Sequence, residues 1–468
     1  MPASAQEPAP VVELTLHPRA VESPPLSYRL FPSEEELKAG NAAPILLRLP
    51  WEQTIWMTKV FPTLHEWEAR PLTAPEWKDA GNVLPTTFFN EMRRAAYRRD
   101  AAWEYPIGEQ VGYSILLPDV QGLRFFLKDG LSVRIRYHLI RGELDQAREG
   151  ILVGLANGRH LAQTPFFVNQ LVATVVQRAM LDRTSELIAQ KDSPNLYWAL
   201  STLPDSLIEL ERAADFEGTL FADTFPVAKD LDAPRDAAQW RKMSQQLVEL
   251  LEQLQEIPPA PKSDAAKSSG DLIQELLKRL GVTETRRLEF VKSAREELAG
   301  LAKIAPEKVT AMSDDEVGIR WYVQLRMSRD QRTSAVMRLQ PGEAWPRLKE
   351  LQVEIDALRE KTGGKGLEFF NPTNIYVNAW LLRRQVATLR IIEAVRHYAA
   401  TNDGELPKSL GDIDSLSVPR DPLTEAPFTW SRDGKNGILS APRLSAEVPP
   451  ISKNLEQILS TQYRLQLP

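Results

Sequence analysis

Two sets of residues have types from which a site could be built: three aspartates near the C-terminal end and a cluster of tryptophans near the start. Asp403 and Asp433 each precede glycine and Asp421 precedes proline, contexts that place side chains on turns. Carboxylate oxygens on turns are what a calcium ion takes as ligands, but the spacing of Asp403, Asp421 and Asp433 is not that of an EF-hand loop. Trp51, Trp56, Trp67, Trp77 and Trp103 are five of the eleven tryptophans in the chain. Such rings either present platforms to a sugar or peptide, with Trp56 and Trp67 as the candidate ligand residues, or anchor irregular chain in a core. Glu66 and Glu68 flank Trp67. Residues two apart do not share a helix face, so these carboxylates are not a glycosidase pair.

The signatures of catalysis are absent from the chain. HExxH and GxSxG do not occur, and the five histidines (His17, His65, His138, His160 and His397) include no pair at metal-ligand spacing on one helix face. A helical hairpin could bring His138 and His160 together. Gly363, Gly364 and Gly366 follow a helical pattern and lack the spacing of a phosphate-binding loop, which reads as a helix end. With no cysteine, disulfides, thiolate ligands and cysteine nucleophiles are excluded. The net charge of −6 argues against nucleic acid. Arg93, Arg94, Arg98 and Arg99 would form a basic face, for an anionic partner or for solvent. No cofactor is implied, and the balance favours binding over catalysis.

The elements that must position these residues are mainly helical. Residues 1–45 read as an extended proline-rich arm with one short strand at 11–16. Residues 46–230 form a tryptophan-rich, helical domain. A helix starts at Thr86 or Thr87 and runs to about Trp103. Gly142 separates two helices, the second carrying Leu144, Ala147, Ile151, Gly154 and Leu155. The next, FFVNQLVATVVQRAM, is apolar almost all round and reads as buried scaffold. Residues 231–370 are a second helical region. Trp240, Met243, Leu247, Leu250, Leu254 and Ile257 make a short heptad seam there, for a coiled-coil partner or for the chain's own helices. Residues 258–270 are its linker. Residues 371–468 begin with a long helix, striped by Ile375, Ala379, Leu382, Val386, Leu389, Ala394 and Tyr398, and end in a small α+β unit. No apolar run of about 18 residues predicts a membrane span.

Three resemblances add to this reading. The helix–glycine–helix around Gly142, with Ala147, Ile151 and Gly154, resembles a tetratricopeptide-type hairpin. Asn41 to Pro44, Arg159-His160-Leu161-Ala162 and the run NLYWALSTLP from Asn195 resemble a family of uncharacterised exported proteins of planctomycete bacteria, over about half of the chain. The resemblance implies a secreted or periplasmic helical protein and no particular activity. Leu406, Pro407, Leu410, Asp421, Pro422, Pro427, Phe428 and Trp430 resemble the globular end of type II secretion pseudopilins. That implies a helix covered by a two- or three-stranded sheet, in a chain without the prepilin spine. Ala3-Ser4-Ala5 before Gln6-Glu7 is similar to the cleavage end of a secretory signal; the other reading is a plain Ala/Pro-rich tail. The expectation is an exported, non-catalytic interaction or structural protein of the cell envelope with a protein partner. The alternative is a glycan-binding or glycan-acting protein that uses the region from Trp51 to Trp103.

Overall fold

The computed structural model describes residues 9–52, 54–79, 84–104, 122–255, 287–302, 304–361, 371–445 and 447–468. In chain order it begins with β1 (Val11–Thr15), β2 (Lys38–Asn41), α1 (Ala43–Glu52), α2 (Thr54–Ala69), α3 (Thr86–Ala96) and β3 (Arg98–Asp100). A helical run follows: α4 (Leu131–Ile140), α5 (Leu144–Ala162), α6 (Phe167–Ile188) and the short α7 (Tyr197–Ser201). Then come α8 (Leu210–Thr224), α9 (Ala237–Gln255), α10 (Arg287–Leu301), α11 (Pro306–Ala311), α12 (Asp314–Met337) and α13 (Pro341–Lys361). The long α14 (Pro372–Thr401), β4 (Thr429–Asp433), β5 (Asn436–Ser440), α15 (Lys453–Leu459) and β6 (Gln462–Gln466) complete the chain. The fold is mainly α with a small α+β unit, the class expected from the sequence. Among the described residues no helix is long and apolar enough to cross a membrane.

The described residues fall into two compact units. Of the described residues, one takes 9–103, 122–210 and 374–468; the other takes Glu104 and those from 211 to 373. The boundaries expected after residues 45, 230 and 370 do not coincide with this division. The reason lies in the sheet, whose strand order is β1-β6-β5-β4. Strand β1 pairs parallel to β6, Val11 opposite Gln462 and Thr15 opposite Gln466. The arm therefore supplies the fourth strand of the C-terminal sheet, one more than the pseudopilin resemblance implied. β4 and β5 form an antiparallel hairpin, with Gly434 at φ +56° in its turn.

In the first unit, α4 and α5 form the hairpin about Gly142. That residue takes φ +70°, and Glu143 N–H donates to the His138 carbonyl at 2.9 Å, closing the C-terminus of α4 as a Schellman turn does. Helix α5 packs most extensively against α6. The approach is close because α5 presents glycine on that side: a Cβ on Gly154 would overlap the Met180 sulfur, and one on Gly158 would lie 2.8 Å from Gln177. Helix α6 is one continuous element from Phe167 to Ile188. Helix α3 stops at Ala96, short of the expected Trp103, and Arg98 and Arg99 sit on β3. The long helix α14 exceeds its expected stripe, since every residue from 391 to 397 is buried.

The second unit has its own core. Phe221, Phe225, Trp240, Leu247, Leu298 and Trp321 share one apolar cluster. Trp240 and Leu247, from the expected heptad seam, are thus spent on helices of their own unit, α12 among them. Ser313 caps α12 by accepting from Glu316 N–H at 3.2 Å, as its position before an acidic first turn predicts. The expected linker at 258–270 and the glycines at 363–366 lie outside the described residues.

Candidate functional site

The three candidate aspartates do not come together. Asp403 and Asp433 are exposed, and Asp403 holds φ +51° beside Gly404. Asp421 is fully buried, and its carboxylate is already occupied: Arg384 donates from Nε to Oδ1 at 2.8 Å and from Nη2 to Oδ2 at 2.7 Å. Thr424 Oγ1 adds a third donor to Oδ2 at 2.7 Å. A carboxylate satisfied in this bidentate way is a structural partner rather than a free ligand. Among the described residues no group of three or more His, Asp or Glu side chains could hold a metal. His138 and His160 are engaged separately. His138 Nδ1 lies 2.7 Å from Glu143 Oε2. Burial drives the His160 pKa down to about 4, only partly offset by polar atoms of Ala95, Gln163 and Arg98.

The tryptophans serve packing where their side chains are described. Trp77 is 2% exposed and gives its indole N–H to the Pro71 carbonyl at 2.9 Å. Half-buried Trp67 packs against it with ring centroids 5.0 Å apart, and the Arg70 guanidinium covers Trp67 at 4.4 Å. Trp103 donates to the His160 carbonyl at 2.8 Å. The Trp51 and Trp56 side chains lie outside what is described. The basic face is neutralised locally: Arg93 pairs with Glu149 at 2.6 Å, Arg94 with Glu91 at 2.6 Å and Arg99 with Glu34 at 2.7 Å. Arg98 donates to the Ala39 carbonyl at 2.6 Å.

The chemistry that the sequence reading missed is buried charge. In α14, Arg396 and Glu393 pair at 2.8 Å with both side chains at 0% exposure. Arg396 also donates to the carbonyls of His17 at 3.1 Å, Ser193 at 3.0 Å and Pro194 at 3.3 Å. Glu393 accepts from Leu196 N–H at 2.9 Å. Burial pushes the Glu393 carboxyl up and Arg396 opposes it. A second network centres on Lys128, in a π-helical segment just before α4. Its ammonium lies 2.6 Å from both Glu68 and Asp129. Burial raises the Asp129 pKa. Burial also works against the Glu68 charge, but hydrogen bonds with Asp129 and Lys128 outweigh it and hold that carboxyl low. Arg136 pairs with Glu186 beside them.

One place leaves such groups open. A cavity of about 210 Å³ lies between α6, α14 and the sheet. Leu381, Phe428, Leu439 and Ile458 give it apolar walls, and Val12 of the arm closes one side. Arg178 and Asp182, one turn apart on α6, bring charge to it, together with Gln385 and Tyr463. Gln385 Nε2 donates to Asp182 Oδ1 at 2.6 Å, and Arg178 Nη2 donates to Asn378 Oδ1 at 3.1 Å. Burial raises the pKa of Asp182 against the pull of Arg183, Gln385 and Arg178. It lowers that of Arg178, and raises that of Tyr463 with the Asp182 charge adding to the effect. Arg178 and Asp182, a pair of ionisable residues four apart following the apolar run of α6, were the signal available in the sequence. Compared with protein-family models, curated proteins and solved structures, the chain matches none.

Proposed function

We propose that this chain is a non-catalytic interaction or structural protein of the cell envelope, acting on a protein partner. The observation that carries this reading over the glycan alternative is the disposition of the tryptophans. Trp77 is enclosed, Trp67 packs against it at a tilt, and Trp103 is tied to α5. Rings used in this way anchor irregular chain and leave little flat aromatic surface for a sugar. The buried ion pairs support the same reading: Arg384 ties α14 to Asp421, and Arg396 and Glu393 hydrogen-bond the backbone at His17 and at 193–196, which fastens distant stretches into a scaffold. Export rests on the Ala3-Ser4-Ala5 pattern and the family resemblance.

Glycan pull-down with the wild type and with Trp56→Ala and Trp67→Ala tests the choice. The expected result is no retention that depends on either ring; loss of a clear wild-type retention in either variant replaces the proposal with the glycan reading. Affinity purification from native envelope extract, followed by mass spectrometry, identifies the partner, and cell fractionation checks the compartment.

A further inference from the structure

We infer that the cavity between α6, α14 and the sheet binds a small monocarboxylate with an apolar body, its carboxylate seated on the Arg178 guanidinium. This inference stands independently of the protein-partner reading.

The argument rests on how the charges around the cavity are matched. Arg384 reaches the same cavity, but its guanidinium is taken by Asp421 through two hydrogen bonds. Arg178 has no such match: among the described residues it forms no ion pair, and Asn378 offers only a neutral oxygen. Asp182 acts on it only through space, without an ion pair; a half-buried guanidinium matched this weakly is costly, and its planar fork suits a carboxylate. Asp182 stands beside it with one oxygen already held by Gln385. The enclosure of Asp182 favours its neutral acid, which lessens repulsion and offers a proton donor to an incoming carboxylate.

The walls decide what the rest of the ligand is. Leu381, Phe428, Leu439 and Ile458 offer no polar partners to water, so an alkyl or aryl body gains by displacing it. A phosphate dianion fits worse, since only one unmatched cation faces the space and an acidic group stands next to it. An ammonium ligand would have to approach both Arg178 and Arg384.

The test is calorimetric titration of the full chain with hexanoate, with 1-hexanol and hexylamine as probes of equal length. Hexanoate is expected to bind, and the alcohol and amine to bind at least about tenfold more weakly, the scale of one charge-assisted hydrogen-bond pair. Arg178→Gln should weaken hexanoate by about tenfold or more, while Asp182→Asn, which keeps an uncharged donor of the same shape, should change it less than Arg178→Gln does. Circular dichroism and thermal melts establish that each variant is folded. No hexanoate binding at millimolar concentration overturns the inference, as does equal binding of hexanol. A folded Asp182→Asn that weakens hexanoate as much as Arg178→Gln does overturns it too. The comparison of three probes on the wild type requires no variant to fold.

Discussion

Arg396 and Arg178 are arginines of the same unit with opposite surroundings. Arg396 is sealed, and four acceptors from three stretches of chain meet its guanidinium. Arg178 faces a cavity with one neutral acceptor. The same side chain is a fastener in one place and an unfilled socket in the other, and the difference lies in whether the fold supplies the counter-charge. Burial alone therefore does not mark a functional group in this molecule. Matching does: the groups worth probing are those whose charge the protein leaves uncancelled.

The sharpest way to break the comparison is at the sealed end. Arg396→Leu leaves Glu393 charged and alone in a closed space, and should lower unfolding stability by about 3–5 kcal/mol in urea titrations. Replacing Glu393 with leucine in the same chain should recover part of that loss, because the remaining penalty is the unpaired charge and not the missing bond. A smaller loss for the single variant than for the double would erase the distinction between sealed and open sites.

His160 supplies an intermediate case, a buried base without a counter-charge. Folding holds its pKa at about 4, below the ordinary 6.5. The unfolded chain takes up the proton near pH 6.5 and the folded chain resists until about 4, so the stability it contributes is complete above pH 6.5 and is lost as pH falls toward 4. The loss is about 3 kcal/mol at ~1.4 kcal/mol per unit. His160→Gln should flatten that part of the curve of stability against pH; an unchanged slope would assign acid sensitivity elsewhere.

Gly154→Val tests the close approach of α5 to Met180 of α6. Overpacking there should cost about 1–3 kcal/mol, read from the midpoint of thermal unfolding. The smallest effect is expected at the open end. Arg178→Gln should leave stability within about 1 kcal/mol of the wild type, or raise it, since an unmatched charge is removed. A large loss would make Arg178 a fastener as well.

Local pattern announced the helices well. The expected helix at 371–400 is α14 (Pro372–Thr401), and the turn at Gly142 was readable because only glycine takes its left-handed backbone without strain. What local pattern could not announce was pairing across the chain. The strand at 11–15 was legible, but its partner is β6, and no periodicity within a short window encodes a neighbour that far away. The same holds for the charged residues. Asp421 read as a loop carboxylate because its dipeptide is turn-like, and its satisfaction by Arg384, 37 residues earlier, is a fact of packing. Arg178 and Asp182 were overlooked because the apolar run around them dominated the reading of α6.

The joining of β1 to β6 sets a timetable for synthesis. Glu13 and Arg464 meet across that pair, 451 residues apart, so on the ribosome β1 has no strand partner until residues 462–466 have emerged. The stretch 211–373, which forms the second unit, leaves the tunnel before then and has its core residues available earlier. The arm, by contrast, must wait as an unpaired strand edge, the kind of surface that invites wrong pairing. Chains stalled before β6 should therefore be the ones that a chaperone holds.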